Sequence, residues 1–177
     1  MIRLHRIHAT DTTEYQFMEH LLTSAFPKEE YRDLDQLRLL TSSKQIFHNN
    51  LIYDDIPVGL VTYWELGRFC FMEHFATLPE MRNKGYGKKV LDHLQSHLHA
   101  PLVLEAEYPV EEIARRRIGF YERQNFVLWN HEYMQPPYRP EDNFLKMVLM
   151  VHGDLKEDRD FDFVRRTIYK EVYMREV

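Results

Sequence analysis

From Pro79 to Val90 the chain runs Pro-Glu-Met-Arg-Asn-Lys-Gly-Tyr-Gly-Lys-Lys-Val, placing small residues and cations ahead of an apolar helical stripe. A helix N-terminus presents unpaired N–H groups and a partial positive charge, and glycine lets the backbone approach an anion closely. The chemistry offered is phosphate binding, with a pyrophosphate as the natural fit. Arg82, Lys84, Lys88 and Lys89 stand against Glu80 alone, a local balance of +3 in a chain of formal charge -5. Two familiar phosphate motifs fail here. A P-loop would need an upstream Gly that is missing and a hydroxyl where Lys89 stands. The dinucleotide fingerprint would need a third Gly where Val90 stands. The plain alternative is a glycine turn leading into a helix with solvated lysines.

The stretch Glu73-His-Phe-Ala-Thr77-x-Pro79-x-x-Arg82-x-x-Gly85-x-Gly87 resembles the GNAT superfamily of N-acyltransferases. The family signature is Arg/Gln-x-x-Gly-x-Gly/Ala, after a strand and before a helix. A second segment, Arg117-Ile-Gly-Phe-Tyr121-Glu-Arg-Gln-Asn125-Phe126, is similar to the family's Tyr-Glu-Lys/Arg-x-Gly-Phe. Asn125 replaces the usual Gly, a mild change because Asn tolerates the left-handed conformation that ends helices. Ala114 stands where many members carry an Asn that contacts the pantetheine arm. The resemblance extends in element order over residues 1–152, leaving 153–177 as a helical extension of the same domain.

What the resemblance implies is acyl transfer from acyl-CoA, acetyl-CoA above all, to a primary amine of a small molecule or peptide by direct attack. A non-catalytic acyl-CoA-binding or interaction module is the alternative. Backbone amides of Arg82, Asn83, Lys84, Gly85, Tyr86 and Gly87, extending to Lys88, would hold the pyrophosphate. Unpaired backbone groups of Phe75, Ala76 and Thr77 would bond the pantetheine arm and polarise the thioester carbonyl. Tyr121 matches the family's general-acid tyrosine, against a plain role as a buried aromatic beside Phe120. Glu73 is the candidate base: among strand aromatics its pKa would be raised toward neutrality by desolvation. Its rivals are a salt-bridged or edge-exposed Glu73 and a base relayed through water. Glu105 and Glu107 share one face of the next strand, where they could attract a cationic amine or take its proton. Tyr133, Tyr138 and the prolines at 136, 137 and 140 lie where this family builds its acceptor-side loops. They form either an aromatic pocket wall or a packed surface loop.

The elements that must position these residues follow from hydrophobic spacing. Ile2 and Leu4 suit a short strand, and Thr10–Thr13 supply capping oxygens for a helix carrying Phe17, Leu21 and Leu22. Residues 34–43 form a second helix. Three runs rich in β-branched and aromatic residues, 46–53, 58–66 and 69–77, make an antiparallel meander. In the third, Phe69, Phe71, Glu73, Phe75 and Thr77 share one face. Tyr86, Val90, Leu91, Leu94 and Leu98 trace a core-facing helix. Then come a strand at 102–107, a helix at 111–125, strands at 126–133 and 146–152, and an amphipathic helix over 155–175. The expected fold is α/β (α+β), a mixed, mostly antiparallel twisted sheet of six to seven strands flanked by helices.

Composition bounds the rest. With 177 residues, 44% hydrophobic and 14% aromatic, the chain makes one globular core. Its single Cys70 cannot pair internally, which suits a reducing compartment. Mild acidity argues against nucleic acid, and no apolar run is long enough for a membrane span. A cytoplasmic protein is expected, with a homodimer one option for the terminal helix. His93, His97 and His99 lack both an HExxH pattern and a completing carboxylate, so they are expected to be solvated, with no metal.

Overall fold

The computed structural model describes residues 2–176. Two compact units make up the chain, one from Met1–Glu65 and Met72–His97 and the other from Leu66–Phe71 and Leu98–Val177.

The first unit contains β1 (Ile2–Arg6), α1 (Thr12–Ala25), α2 (Leu34–Leu40), β2 (Ile46–Tyr53), β3 (Ile56–Glu65), the larger part of β4 (Cys70–Thr77) and α3 (Tyr86–His97). Its strands lie in the order β1-β2-β3-β4. β2 pairs antiparallel with β1 and with β3, and the latter register shifts between Leu51 and Ile52. The β2–β3 hairpin closes on Asp54 and Asp55, both at positive φ, the combination a two-residue primed turn demands. Leu21, Leu22 and Leu37 pack with Ile7 and Leu60 into a buried cluster. Gly59 is required where β3 meets β4, because a Cβ there would lie 2.4 Å from the Ala76 carbonyl oxygen.

The second unit contains β5 (Leu102–Glu107), α4 (Glu112–Glu122), β6 (Val127–Leu128), β7 (Tyr133–Gln135), β8 (Leu145–His152) and α5 (Glu157–Thr167), followed by a π-helical turn over Ile168–Val172. β8 is its central strand, antiparallel to β5, β6 and β7. The expected strand over 126–133 thus divides into β6 and β7, two short pieces that bring the strand count to eight. Val164, Ile168 and Val172 are fully buried, so the terminal helix spends its apolar face on its own unit. Its first turn is fixed by carboxylates. Buried Asp160 accepts from the Lys156 amide at 2.8 Å and pairs with Arg68 at 3.2 Å. Glu157 accepts from the amides of Asn130 and His131. The architecture is a mixed, mostly antiparallel sheet flanked by five α-helices, with the C-terminal helix as an addition.

Candidate active site

The glycine turn ahead of α3 adopts the backbone that its composition demands. Asn83 and Gly85 sit at φ of +59° and +78°, the left-handed region open to Asn and Gly. No atom comes within 4 Å of where a Cβ on Gly85 would stand, so the space over this residue is open. The first amide to find a helical acceptor is that of Lys89, bonded to the Gly85 carbonyl at 3.2 Å. The amides of Tyr86, Gly87 and Lys88 precede that bond and have no partner within the helix. Arg82 differs from the expectation: its amide donates to the Pro79 carbonyl at 3.2 Å, leaving its exposed side chain as the contribution it can make.

The local charge is distributed unevenly. Lys88 pairs with Asp92 at 2.7 Å, and Lys89 lies 4.8 Å from the centroid of the Tyr53 ring. Arg82 and Lys84 are exposed and make no ion pair among the described residues. An open turn with unpaired amides and two uncommitted cations fits a pyrophosphate group.

Glu73 departs from expectation. Its side chain is 1% exposed and its Oε1 takes the Arg32 guanidinium, itself 5% exposed, at 2.7 Å. Its Oε2 accepts the Trp64 indole N–H at 2.7 Å. Burial pushes its pKa up, but the Arg32 charge, His74 and the hydrogen bonds from Arg32 and Trp64 outweigh that and hold it at about 2. The predicted rise toward neutrality is therefore reversed. The sequence showed Glu73 among aromatics but not that Arg32, 41 positions upstream, would meet it. Next to it on β4, buried His74 donates from Nε2 to the Glu30 carbonyl at 2.8 Å. These contacts clamp the chain between α1 and α2 onto β4. Phe75, Ala76 and Thr77 follow, each half-buried.

In the second unit Tyr121 lies on α4, stacked edge-on to Phe120 and Phe126. Burial pushes its pKa up to about 12, against a lowering by Arg117, so the hydroxyl stays protonated at neutral pH. It takes no hydrogen bond among the described residues. α4 ends as foreseen at Asn125, whose φ is +63°. The Phe126 amide reaches the Tyr121 carbonyl and the Asn125 amide the Glu122 carbonyl, closing a Schellman motif.

The tentative acceptor residues are engaged with their own chain. Glu105 accepts from the Tyr133 hydroxyl and, at 2.6 Å, from the Tyr173 hydroxyl. Tyr138 packs 5.0 Å from the Tyr173 ring. Glu107 pairs with Arg117 at 3.3 Å. Tyr133 and Tyr173 both have pKa values pushed well up, by burial first and then by the Glu105 charge. Tyr173 was absent from the expected set because only the π-helical turn brings it to β5. Among the described residues no group of three or more His, Cys, Asp or Glu side chains could hold a metal ion. His93 and His97 stack on each other along α3.

Residues 5–126 match the acetyltransferase (GNAT) family. A structure from Bacteroides thetaiotaomicron, described as an acetyltransferase assigned to that family, is 47% identical over 98% of this chain and 99% of its own, with a TM-score of 0.95. The ribosomal-protein alanine N-acetyltransferase of Escherichia coli matches at 15% identity over 88% of this chain and 99% of its own, with a TM-score of 0.55. Arabidopsis thaliana NAA60, solved with a bisubstrate analogue, matches at 13% identity over 86% of this chain and 97% of its own, with a TM-score of 0.61. These two distant likenesses show a shared fold. No curated protein matches the chain. A family match across most of the sequence, joined to a near-complete structural likeness at 47% identity, leads to one assignment: the chain belongs to the GNAT family of acetyltransferases.

Proposed function

We propose that this protein is an acetyl-CoA-dependent N-acetyltransferase that acylates a primary amine of a small molecule or peptide. The observation that carries the reading is the turn at Asn83–Gly85, with its open space and the unpaired amides of Tyr86, Gly87 and Lys88 beyond it. Those amides bind the pyrophosphate, and Arg82 and Lys84 add charge. Acetyl-CoA supplies an acyl group activated as a thioester. Backbone groups of Phe75, Ala76 and Thr77 orient the pantetheine arm and stabilise charge on the carbonyl oxygen.

Two proton movements accompany attack by a neutral amine. Tyr121 delivers one to the departing thiolate, a role suited by a hydroxyl kept protonated and without a competing acceptor. Glu73 acts by position. With both oxygens bonded and its pKa held low, it fixes Arg32 and the chain between α1 and α2, and the amine loses its proton to water instead. A single buried cysteine and a cosubstrate of central metabolism suit the cytoplasm.

The test is thiol release from acetyl-CoA in the presence of a panel of primary amines. Release that depends on an amine, with an acetamide product, is expected. Binding of acetyl-CoA without release on any amine would mark a binding module instead.

A further inference from the structure

Proton donation by Tyr121 leaves a negative charge where the fold offers little to hold it. Tyr121 is 7% exposed and lies against the rings of Phe120 and Phe126, with centroids 5.3 and 5.6 Å away. A phenolate formed among such neighbours is largely stripped of water, and an unpaired buried charge is costly. A buried acid that must pass through its anion therefore needs a cation or a donor near the oxygen that ionises.

α4 supplies one such cation. Side chains three and four positions apart are neighbours on a helix surface. Around Tyr121 these are Arg117, Ile118, Gln124 and Asn125, of which only Arg117 is charged. A helical side chain also leans toward the helix N-terminus, which carries the Tyr121 hydroxyl over the turn that begins at Arg117. Glu107, at the end of β5, anchors the guanidinium at 3.3 Å. From β8, His152 stands behind Phe126 with its ring 5.5 Å away, and it donates from Nδ1 to the Asn125 carbonyl at 3.2 Å. Among the described residues Arg117 is the one charge that acts on the Tyr121 hydroxyl, lowering its pKa against the rise caused by burial.

We propose that Arg117 is a positioning residue for the acid step, stabilising the negative charge that develops on the Tyr121 oxygen. Its part in turnover rests on the acetyl-transfer reading. As the C–N bond forms and the C–S bond breaks, the departing thiolate takes the Tyr121 proton. Arg117 stabilises the phenolate until water, which has taken a proton from the amine, returns one to it. Arg117 touches neither amine nor thiolate in this step, so its effect runs wholly through Tyr121.

The acidity of Tyr121 can be read without turnover. With 3,5-difluorotyrosine placed at this position the phenol is acidic enough to titrate in the folded protein, and its fluorine resonance follows the ionisation. Arg117→Met should make this phenol about tenfold weaker as an acid, and Arg117→Lys, which keeps the charge, should leave it close to the parent. In assays with acetyl-CoA and a responsive amine, Arg117→Met should lower kcat about tenfold at unchanged KM for acetyl-CoA. The same substitution should change nothing in a Tyr121→Phe background. The Arg117 side chain is 42% exposed, and thermal melts check that each variant is folded. Equal acidity in the parent and Arg117→Met overturns the proposal, as does an equal loss of kcat with and without the Tyr121 hydroxyl. A raised KM with kcat unchanged would do the same, marking Arg117 as a contact to the cosubstrate. Arg117-dependent acidity in a protein that releases no thiol on any amine would end the acetyl-transfer reading and leave the Arg117–Tyr121 pair standing. Thiol release with an acidity indifferent to Arg117 would do the reverse.

Discussion

Tyr121 and Glu73 occupy opposite electrostatic situations, and substitution separates their roles. Tyr121 has a hydroxyl raised to about 12 with no internal acceptor. Tyr121→Phe keeps the ring packing on Phe126, so thermal stability should hold while kcat falls roughly 10²-fold, the scale of a lost proton-transfer group. Stopped-time acetylation assays with matched melts check both parts, and an unchanged kcat removes the acid assignment. Glu73 forms a buried pair with Arg32, and breaking such a pair strands a charge, at a cost of about 3 kcal/mol. Glu73→Gln should therefore show its main loss in urea unfolding. A kcat collapse at unchanged stability would restore Glu73 as the base. The sequence placed Glu73 on the right strand because period-two alternation is local. It could not show Arg32, since the sign of a carboxylate's shift is decided by which distant charge folds onto it.

At the scale of elements, the two segments that carry the family pattern fold as their composition dictates. The glycine turn opens α3, and Asn125 closes α4 in the left-handed conformation. Both were legible because Gly and Asn answer a backbone requirement at their own position. The division of the 126–133 run into β6 and β7 was not legible, because short apolar runs carry no signal for where pairing with β8 stops. Nor was the π-helical turn that carries Tyr173 to Glu105. Two consequences can be measured. Gly59→Ala would drive a Cβ against the Ala76 carbonyl. It should lower stability and weaken acetyl-CoA binding together, as melts with and without the ligand would show. Tyr173→Phe removes a buried hydroxyl from Glu105 and should cost about 1–3 kcal/mol in chemical unfolding, with acetyl-CoA affinity retained. A Tyr173→Phe protein as stable as its parent would show that the contact does not anchor the terminal helix.

For the whole molecule, mild net acidity conceals two local features, the cationic turn of α3 and the buried polar group of His48, Arg32, Glu73 and His74. The latter sets the response to acid. His48 is lowered to about 4, by burial first and then by His74, Arg32 and Arg6 against Glu73. A depressed histidine favours the folded state when neutral, so its contribution is complete above the unfolded value near 6.5 and lost as pH falls toward 4. Glu73, lowered to about 2, contributes above about 4.5 and loses that contribution as pH falls further. Urea midpoints should therefore decline in two stages below pH 6.5, and His48→Gln should flatten the first. The central claim, that acetyl-CoA is held at the turn before α3, is tested most directly by calorimetric titration of acetyl-CoA into the parent protein and Gly85→Asp. Asp at this site adds a negative charge where the space is open. Saturable binding to the parent that is lost in a folded Gly85→Asp protein is the predicted result, and equal affinity for the two proteins would contradict it.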